Sequence, residues 1–324
     1  MSNFFSLINN KFDNKISILD RGFSYGDGFF ETMLWCYLGG KVRPIIKVEY
    51  WKRHYNRIKE GCDLMSIKIP HINQLEKQRQ KILEKSFYSR MQEGVLKLII
   101  TRGIGGRGYK FEDNMKPTIA FLTFPKPKLN SLIYQNGVKI KFCKTKLYSH
   151  NRLFGLKHLN RLDSVLARSE WKDDFFEGIF LDEKDCLIEG TMTNIFFIKG
   201  DTLITTPLNN TGINGILRQF LIEKTNKFFK KIIIKKVNKK MLNDFDQMFL
   251  TNSILKVVPV KSLGKKKFYI GENLKKLVNF FNIEDLKLKK KKSRASINLI
   301  FLKLNLLQFH LRIFLFLIFR FLPL

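Results

Sequence analysis

Apolar residues recur along this chain in two rhythms. Alternation with a period near two runs through VLKLIITRG (95–103), PTIAFLTF (117–124) and VKIKFCKTKLY (138–148), which predicts strands. KISILD (15–20) is a shorter strand leading into the turn RGFSYGDG, and FFETMLWCYLGGKV (29–42) predicts a hairpin closed at Gly39-Gly40. EGIFLDEKDCLIEGTMTNIFFIKGDTLITTP (177–207) predicts a meander with turns at DEKD and KGD, and MFLTNSILKVVPV (248–260) returns to strand. The helical period appears in YWKRHYNRIKEGCDLM (50–65), in GINGILRQFLIEKTNKFF (212–229) after its glycines, and in NLKKLVNFFN (273–282). It appears again after Lys157, where Leu159, Leu162, Val165 and Leu166 predict an amphipathic helix of several turns.

Strands and helices are thus mixed on both sides of PKPKLNS (125–131), whose prolines and lysines interrupt the pattern. The expected fold class is α+β in two domains, 1–124 and 132–285, joined by a 125–131 linker, with a site in the cleft between them. No internal repeat is present. Residues 286–324 differ in character: they carry nine Lys or Arg and no acid, and their apolar runs are broken by Lys303, His310, Arg312 and Arg320. No charge-free stretch there approaches the roughly 20 residues of a membrane span. The expectation is a tail without a catalytic role and no integral membrane span.

Composition narrows the class further. Of 324 residues, 44% are hydrophobic and 27% charged, as in globular proteins. The net charge of +31 raises nucleic acid as a partner. Yet the basic residues are spread along the chain beside many Asn, Ile and Phe, and no nucleic-acid-binding motif accompanies them, so nucleic acid is not expected. The four cysteines, Cys36, Cys62, Cys143 and Cys186, form neither a CxxC pair nor a Cys/His cluster, so no metal site is expected and a cytoplasmic location fits.

Four stretches stand out chemically. DRGFSYGDGFFET (20–32) is dense in glycine, aromatic and acid, as a turn lining a site would be. Arg57 in HYNRI lies on a helix, where a guanidinium would bind phosphate bidentately. Glu189 in CLIEGTMTN stands between an apolar strand and small hydroxyl residues. GINGILR places glycines at a helix start, whose free N–H groups favour an anion. Each is weak alone. Together with Lys157 they supply an anchor, an acid and an amine, the parts that hold pyridoxal phosphate.

From about residue 8 to 280 the chain resembles the fold type IV pyridoxal-phosphate enzymes, which include D-amino-acid and branched-chain aminotransferases and the aminodeoxychorismate lyases. YGDGFFET, TRGIGGRGY (101–109), GLKHLNRLD and TNSILKVVPV carry the likeness, and within the group they look most like the lyases. The resemblance implies pyridoxal 5'-phosphate bound as a Schiff base to Lys157, with Glu189 on the pyridinium nitrogen. It implies phosphate contacts from Arg57, from the backbone N–H groups of Ile216 and Leu217, and from Ser253. Aminotransferases of the group usually carry threonine where this chain has Leu217. Substrate contacts are expected from Arg107, Asn252, Tyr25 and His158. A homodimer acting on a small-molecule substrate, 4-amino-4-deoxychorismate, to give 4-aminobenzoate and pyruvate for folate synthesis is what the resemblance implies. An aminotransferase is the nearer alternative, and a basic nucleic-acid or membrane-surface binder the distant one.

Overall fold

The computed structural model describes residues 4–40, 44–147, 152–208, 211–224 and 228–281. The 286–324 tail, with the expectations attached to it, lies outside them.

Among the described residues the first half builds an antiparallel sheet from β1 (Phe5–Ile8), β2 (Gly28–Gly39), β3 (Ile45–Val48), β4 (Glu93–Thr101) and β5 (Thr118–Pro125), in the order β1-β5-β4-β2-β3. Alternation decides its two faces. Met33 on β2 and Leu96 and Leu98 on β4 are buried with Ile58, Leu75 and Ile82 of two helices. These are α2 (Trp51–Met65) and α3 (Ile72–Tyr88). Phe30, Thr32 and Lys97, on the opposite face, are only half-buried. A short helix, α1 (Arg21–Tyr25), precedes β2.

KISILD forms no strand: Ile16, Ile18 and Leu19 are 50%, 75% and 58% exposed. The carboxylate of Asp20 is the physical reason. It caps α1 by accepting from Gly22 N–H, and it also accepts from the hydroxyls of Thr101 and Thr118. The backbone therefore turns into a helix where a ladder would have continued.

The second half is a larger mixed sheet. Its strands are β6 (Val138–Phe142), β7 (Glu177–Leu181), β8 (Leu187–Gly190), β9 (Asn194–Lys199), β10 (Thr202–Thr205), β11 (Lys231–Ile234), β12 (Gln247–Asn252), β13 (Lys256–Leu263) and β14 (Lys266–Lys267). They run in the order β11-β10-β9-β12-β13-β6-β7-β8, with β14 on β13. Helix α4 (Leu132–Asn136) packs near β13. One face packs Phe197, Met248, Leu250 and Val258 together. The other packs Phe196, Phe249, Leu217, Leu221, Leu274 and Leu277. The last four come from α6 (Ile216–Lys224), which follows α5 (Leu162–Arg168) in the chain, and from α7 (272–281). Both faces being covered explains the nearly continuous apolar runs IFFI and MFL.

Helix α5 (Leu162–Arg168) is shorter than expected, and its stripe points outward: Leu162, Val165 and Leu166 are 68%, 63% and 51% exposed. It starts late because the residues before it are held extended. Phe30 N–H donates to Lys157 O at 2.9 Å and Leu159 N–H to Gly28 O at 2.9 Å, so the 157–159 segment lies antiparallel to the start of β2.

Candidate active site

The segment around Lys157 is fastened on two sides. Beyond its bonds to β2, Gly155 N–H donates to Gly212 O at 2.8 Å and Asn214 N–H to Gly155 O at 3.1 Å. Lys157 therefore stands at the seam between the first sheet and the GINGILR loop of the second half. A cavity of about 410 Å³ opens there, bordered by Thr32, Arg57, Lys157, Glu189, the first turn of α6 and the β12–β13 turn.

The Lys157 ammonium lies 4.4 Å from the centre of the Phe30 ring. Burial, with the nearby charge of Arg57, pushes its pKa down to about 8 against the opposing pull of Glu31 and Glu189. A neutral, nucleophilic amine is thus accessible near physiological pH. Glu189 is 4% exposed at the end of β8, and its Oε2 accepts from Ile213 N–H at 2.8 Å and Asn194 Nδ2 at 3.2 Å. Burial raises its pKa to about 7 despite those donors and the charges of Arg161 and Lys157. It would therefore share a proton readily with a basic ring nitrogen.

Arg57 is held on three sides. Its Nε and Nη2 each donate to Glu31 at 2.6 Å, and Nη1 donates to Asn214 O at 2.8 Å. Burial alone would raise the Glu31 carboxyl, but the charge of Arg57 and the hydrogen bonds from Arg57 and His54 outweigh it and hold the pKa at about 2. His54 meets Glu31 Oε2 through Nδ1 at 2.6 Å, and its pKa is lowered chiefly by burial, so neutral His54 carries its proton on Nδ1. Opposite Arg57, α6 begins at the cavity with its first-turn N–H groups free of intrahelical partners. Gly215 precedes it because a Cβ there would meet Asn194 Oδ1 at 2.1 Å. The Leu217 side chain is buried in the core, so only its backbone faces this task, consistent with the missing threonine.

Ser253 borders the cavity in the β12–β13 turn. Asn252 borders it too, but its side chain is spent on shape: Nδ2 donates to Met192 O, and Oδ1 accepts from Ile254 and Leu255 N–H. The structure does not bring Arg107, Tyr25 or His158 to the cavity wall. Arg107 is exposed on the loop between β4 and β5. Tyr25 Oη accepts from Gly108 N–H on that loop at 3.0 Å, and the two tyrosines Tyr25 and Tyr109 pack with ring centres 5.7 Å apart. His158 Nε2 lies 2.6 Å from Arg161 Nη2.

Four contributors were not assigned from the sequence: Glu31, His54, Asn194 and Arg218. Signals existed. Glu31 interrupts an apolar strand, where a charge demands a partner, and His54 and Arg57 share a helix face at i, i+3. Arg218 is 7% exposed and bonded to Asn214 Oδ1 and Thr206 O, while its Nε and the hydroxyl of Thr251 are buried at this wall without a hydrogen-bond partner. Such orphaned polar atoms, with the amine, the acid and the anion-favouring helix start, suit a phosphorylated aromatic aldehyde of pyridoxal type.

Known proteins share this architecture. The family model described as amino-transferase class IV matches residues 28–263. A solved 4-amino-4-deoxychorismate lyase from Pseudomonas aeruginosa is 32% identical with a TM-score of 0.75, covering 85% of this chain and 97% of that one. The aminodeoxychorismate lyase of Vibrio harveyi is 28% identical over 270 residues, 81% of this chain and 94% of its own. The D-alanine aminotransferase of Bacillus licheniformis is 27% identical over 253 residues, 76% of this chain and 83% of its own.

Proposed function

Because the chain belongs to the class IV aminotransferase family, we propose that it is a pyridoxal-phosphate-dependent lyase that converts 4-amino-4-deoxychorismate to 4-aminobenzoate and pyruvate. The observation that carries the reading is the Lys157 amine, lowered toward neutrality, in one cavity with Glu189 and a phosphate cradle from both halves. In that cradle Arg57, the N–H groups of Ile216 and Leu217, and Ser253 would hold the phosphate, Lys157 would hold the aldehyde carbon until the substrate amine takes its place, and Glu189 would keep the ring nitrogen protonated. The cofactor supplies an electron sink for a carbanion next to the substrate nitrogen.

The chain's own groups then have defined tasks. Lys157, as a neutral amine, takes the proton from C4 of the substrate. Glu189 would keep the ring nitrogen protonated, so that its positive charge draws in the electron pair left at C4. The enolpyruvyl oxygen leaves C3 with the electron pair and is released as pyruvate after gaining a proton. The carbocycle becomes aromatic, which makes the elimination strongly downhill, so no second amino acid or 2-oxo acid is needed.

Support for the lyase over its relatives comes from the likeness to the two lyases and from GGRGY and KHLNRL. Asn252 is assigned the role of shaping the turn that presents Ser253. Arg107 and Tyr109 stand on an exposed loop outside the cavity wall, and the reading we adopt is a homodimer in which a second copy of the chain brings Arg107 to a substrate carboxylate. A second reading, an aminotransferase, is favoured by the D-alanine aminotransferase relative and shares Lys157 and Glu189. The test is product analysis on purified protein given the aminodeoxychorismate substrate. Equal amounts of pyruvate and 4-aminobenzoate without added 2-oxo acid support the lyase; a strict requirement for a 2-oxo acid, with an amino acid as product, selects the aminotransferase.

A further inference from the structure

The β12–β13 turn contains a residue out of place. Residues 253–255 form a three-residue loop between paired Asn252 and Lys256, and Lys256 adopts φ +64°, a left-handed conformation that ordinarily favours glycine. A lysine at such a position is also 7% exposed. Its side chain supplies the reason. The ammonium donates to Ser253 O at 3.1 Å and forms an ion pair with Glu49 Oε2, 207 positions away on the first half. It also lies 5.3 Å from the centre of the Tyr50 ring.

Glu49 and Tyr50 lead directly into α2, which carries Arg57. A further contact ties the start of α2 to α6: Arg53 donates to both oxygens of Glu223, at 2.8 and 2.5 Å. The three pieces of the phosphate cradle, α2, α6 and the Ser253 turn, are thus joined across the seam by two ion pairs, of which the Glu49–Lys256 pair is the less exposed, with Lys256 buried and Glu49 half-buried.

We propose that Lys256 is a positioning residue that, through Glu49 and the Ser253 carbonyl, holds the two sides of the phosphate cradle in register and so sets how long pyridoxal phosphate stays bound. The inference rests on the cradle assignment made above. Glycine relieves the backbone at φ +64° while deleting the ammonium, so K256G separates the two roles of the residue. The experiment loads wild type, K256G, E49Q, the K256G/E49Q double variant and R57A with pyridoxal phosphate. It follows loss of cofactor absorbance after dilution into a scavenger, and the thermal midpoint of each protein stripped of cofactor.

The expected result is release about tenfold or more faster in K256G and in E49Q, with the double variant no faster than the faster single, because both remove one interaction. The stripped K256G protein should melt no lower than stripped wild type. Unchanged release in K256G and E49Q while R57A releases quickly would overturn the clamp and leave the cradle standing. A lower midpoint for stripped K256G would make the bridge a fold contact and overturn the proposal as well. Release from R57A at the wild-type rate would overturn the cradle assignment itself and the proposal with it.

Discussion

Both oxygens of Glu31 accept from Arg57 at 2.6 Å, and one also meets His54, so the guanidinium is fixed before any anion arrives. A preorganised cation loses little side-chain freedom on binding phosphate. Its donors are divided between the carboxylate and Asn214 O, which sets the face of the fork that remains for a ligand.

Glu31→Gln is therefore expected to destabilise the protein by about 3–5 kcal/mol, as when one partner of a buried pair is removed. Urea titration of wild type and variant measures this. The pH dependence has a definite sign. Glu31 titrates at about 2 in the fold, so its contribution is complete above the unfolded carboxyl pKa and is lost as pH falls through about 2. The stability gap between wild type and Glu31→Gln should be constant near neutral pH and shrink below about pH 4.

Lys157→Met is expected to abolish cofactor-linked absorbance and turnover. In the cofactor-free state it should instead raise stability at neutral pH, by an amount on the order of 1–3 kcal/mol. The lowered pKa of about 8 means the unfolded chain holds the lysine proton more tightly. Wild-type stability should consequently rise with pH between about 8 and about 10, and the variant should lack that rise. Denaturant midpoints across this range check the prediction, and full turnover by the variant would remove the central assignment.

Glu189→Gln should lower turnover by about 100-fold or more, since a neutral amide cannot hold the ring-nitrogen proton. The sign for stability is the reverse of that for Glu31. A carboxyl raised to about 7 favours the fold most in acid, and the benefit declines as pH rises through about 7. The cofactor-free Gln variant should show no such decline, which thermal midpoints at pH 5 to 8 would register.

Arg107 and Lys157 offer a test of assembly. If a second copy supplies Arg107 to the cavity, Arg107→Ala and Lys157→Ala proteins, each of low activity, should regain turnover when unfolded and refolded together. No regain on co-refolding, or a fully active monomer by light scattering, would count against the homodimer.

Helices α2, α6 and α7 and the inner strands are legible because periodicity reports which positions are apolar, whereas the longest helix among the described residues, α3, is not among the predicted elements. Periodicity does not report what covers those positions. Leu162, Val165 and Leu166 keep helical spacing yet stand exposed, and Ile16 and Ile18 alternate without joining a sheet, since Asp20 redirects the backbone. The site shows the same division. Lys157, Arg57, Glu189 and the α6 start were readable from local motifs and border one cavity. Glu31 pairs with a residue 26 positions on and Lys256 with one 207 away, relationships no local pattern encodes.

The bridging segment at residues 155–159 ties Lys157 by backbone bonds to β2 on one edge and to the 212–214 loop on the other. The reactive amine is consequently a product of docking: neither half alone encloses it, and its low proton affinity exists only once both have closed on it. A chain that opens along this seam, on heating or before folding is complete, returns Lys157 to an ordinary solvated ammonium. Chemical competence thus depends on both halves being closed on this segment, and loss of the cofactor should accompany opening of the seam, whether or not either sheet has melted.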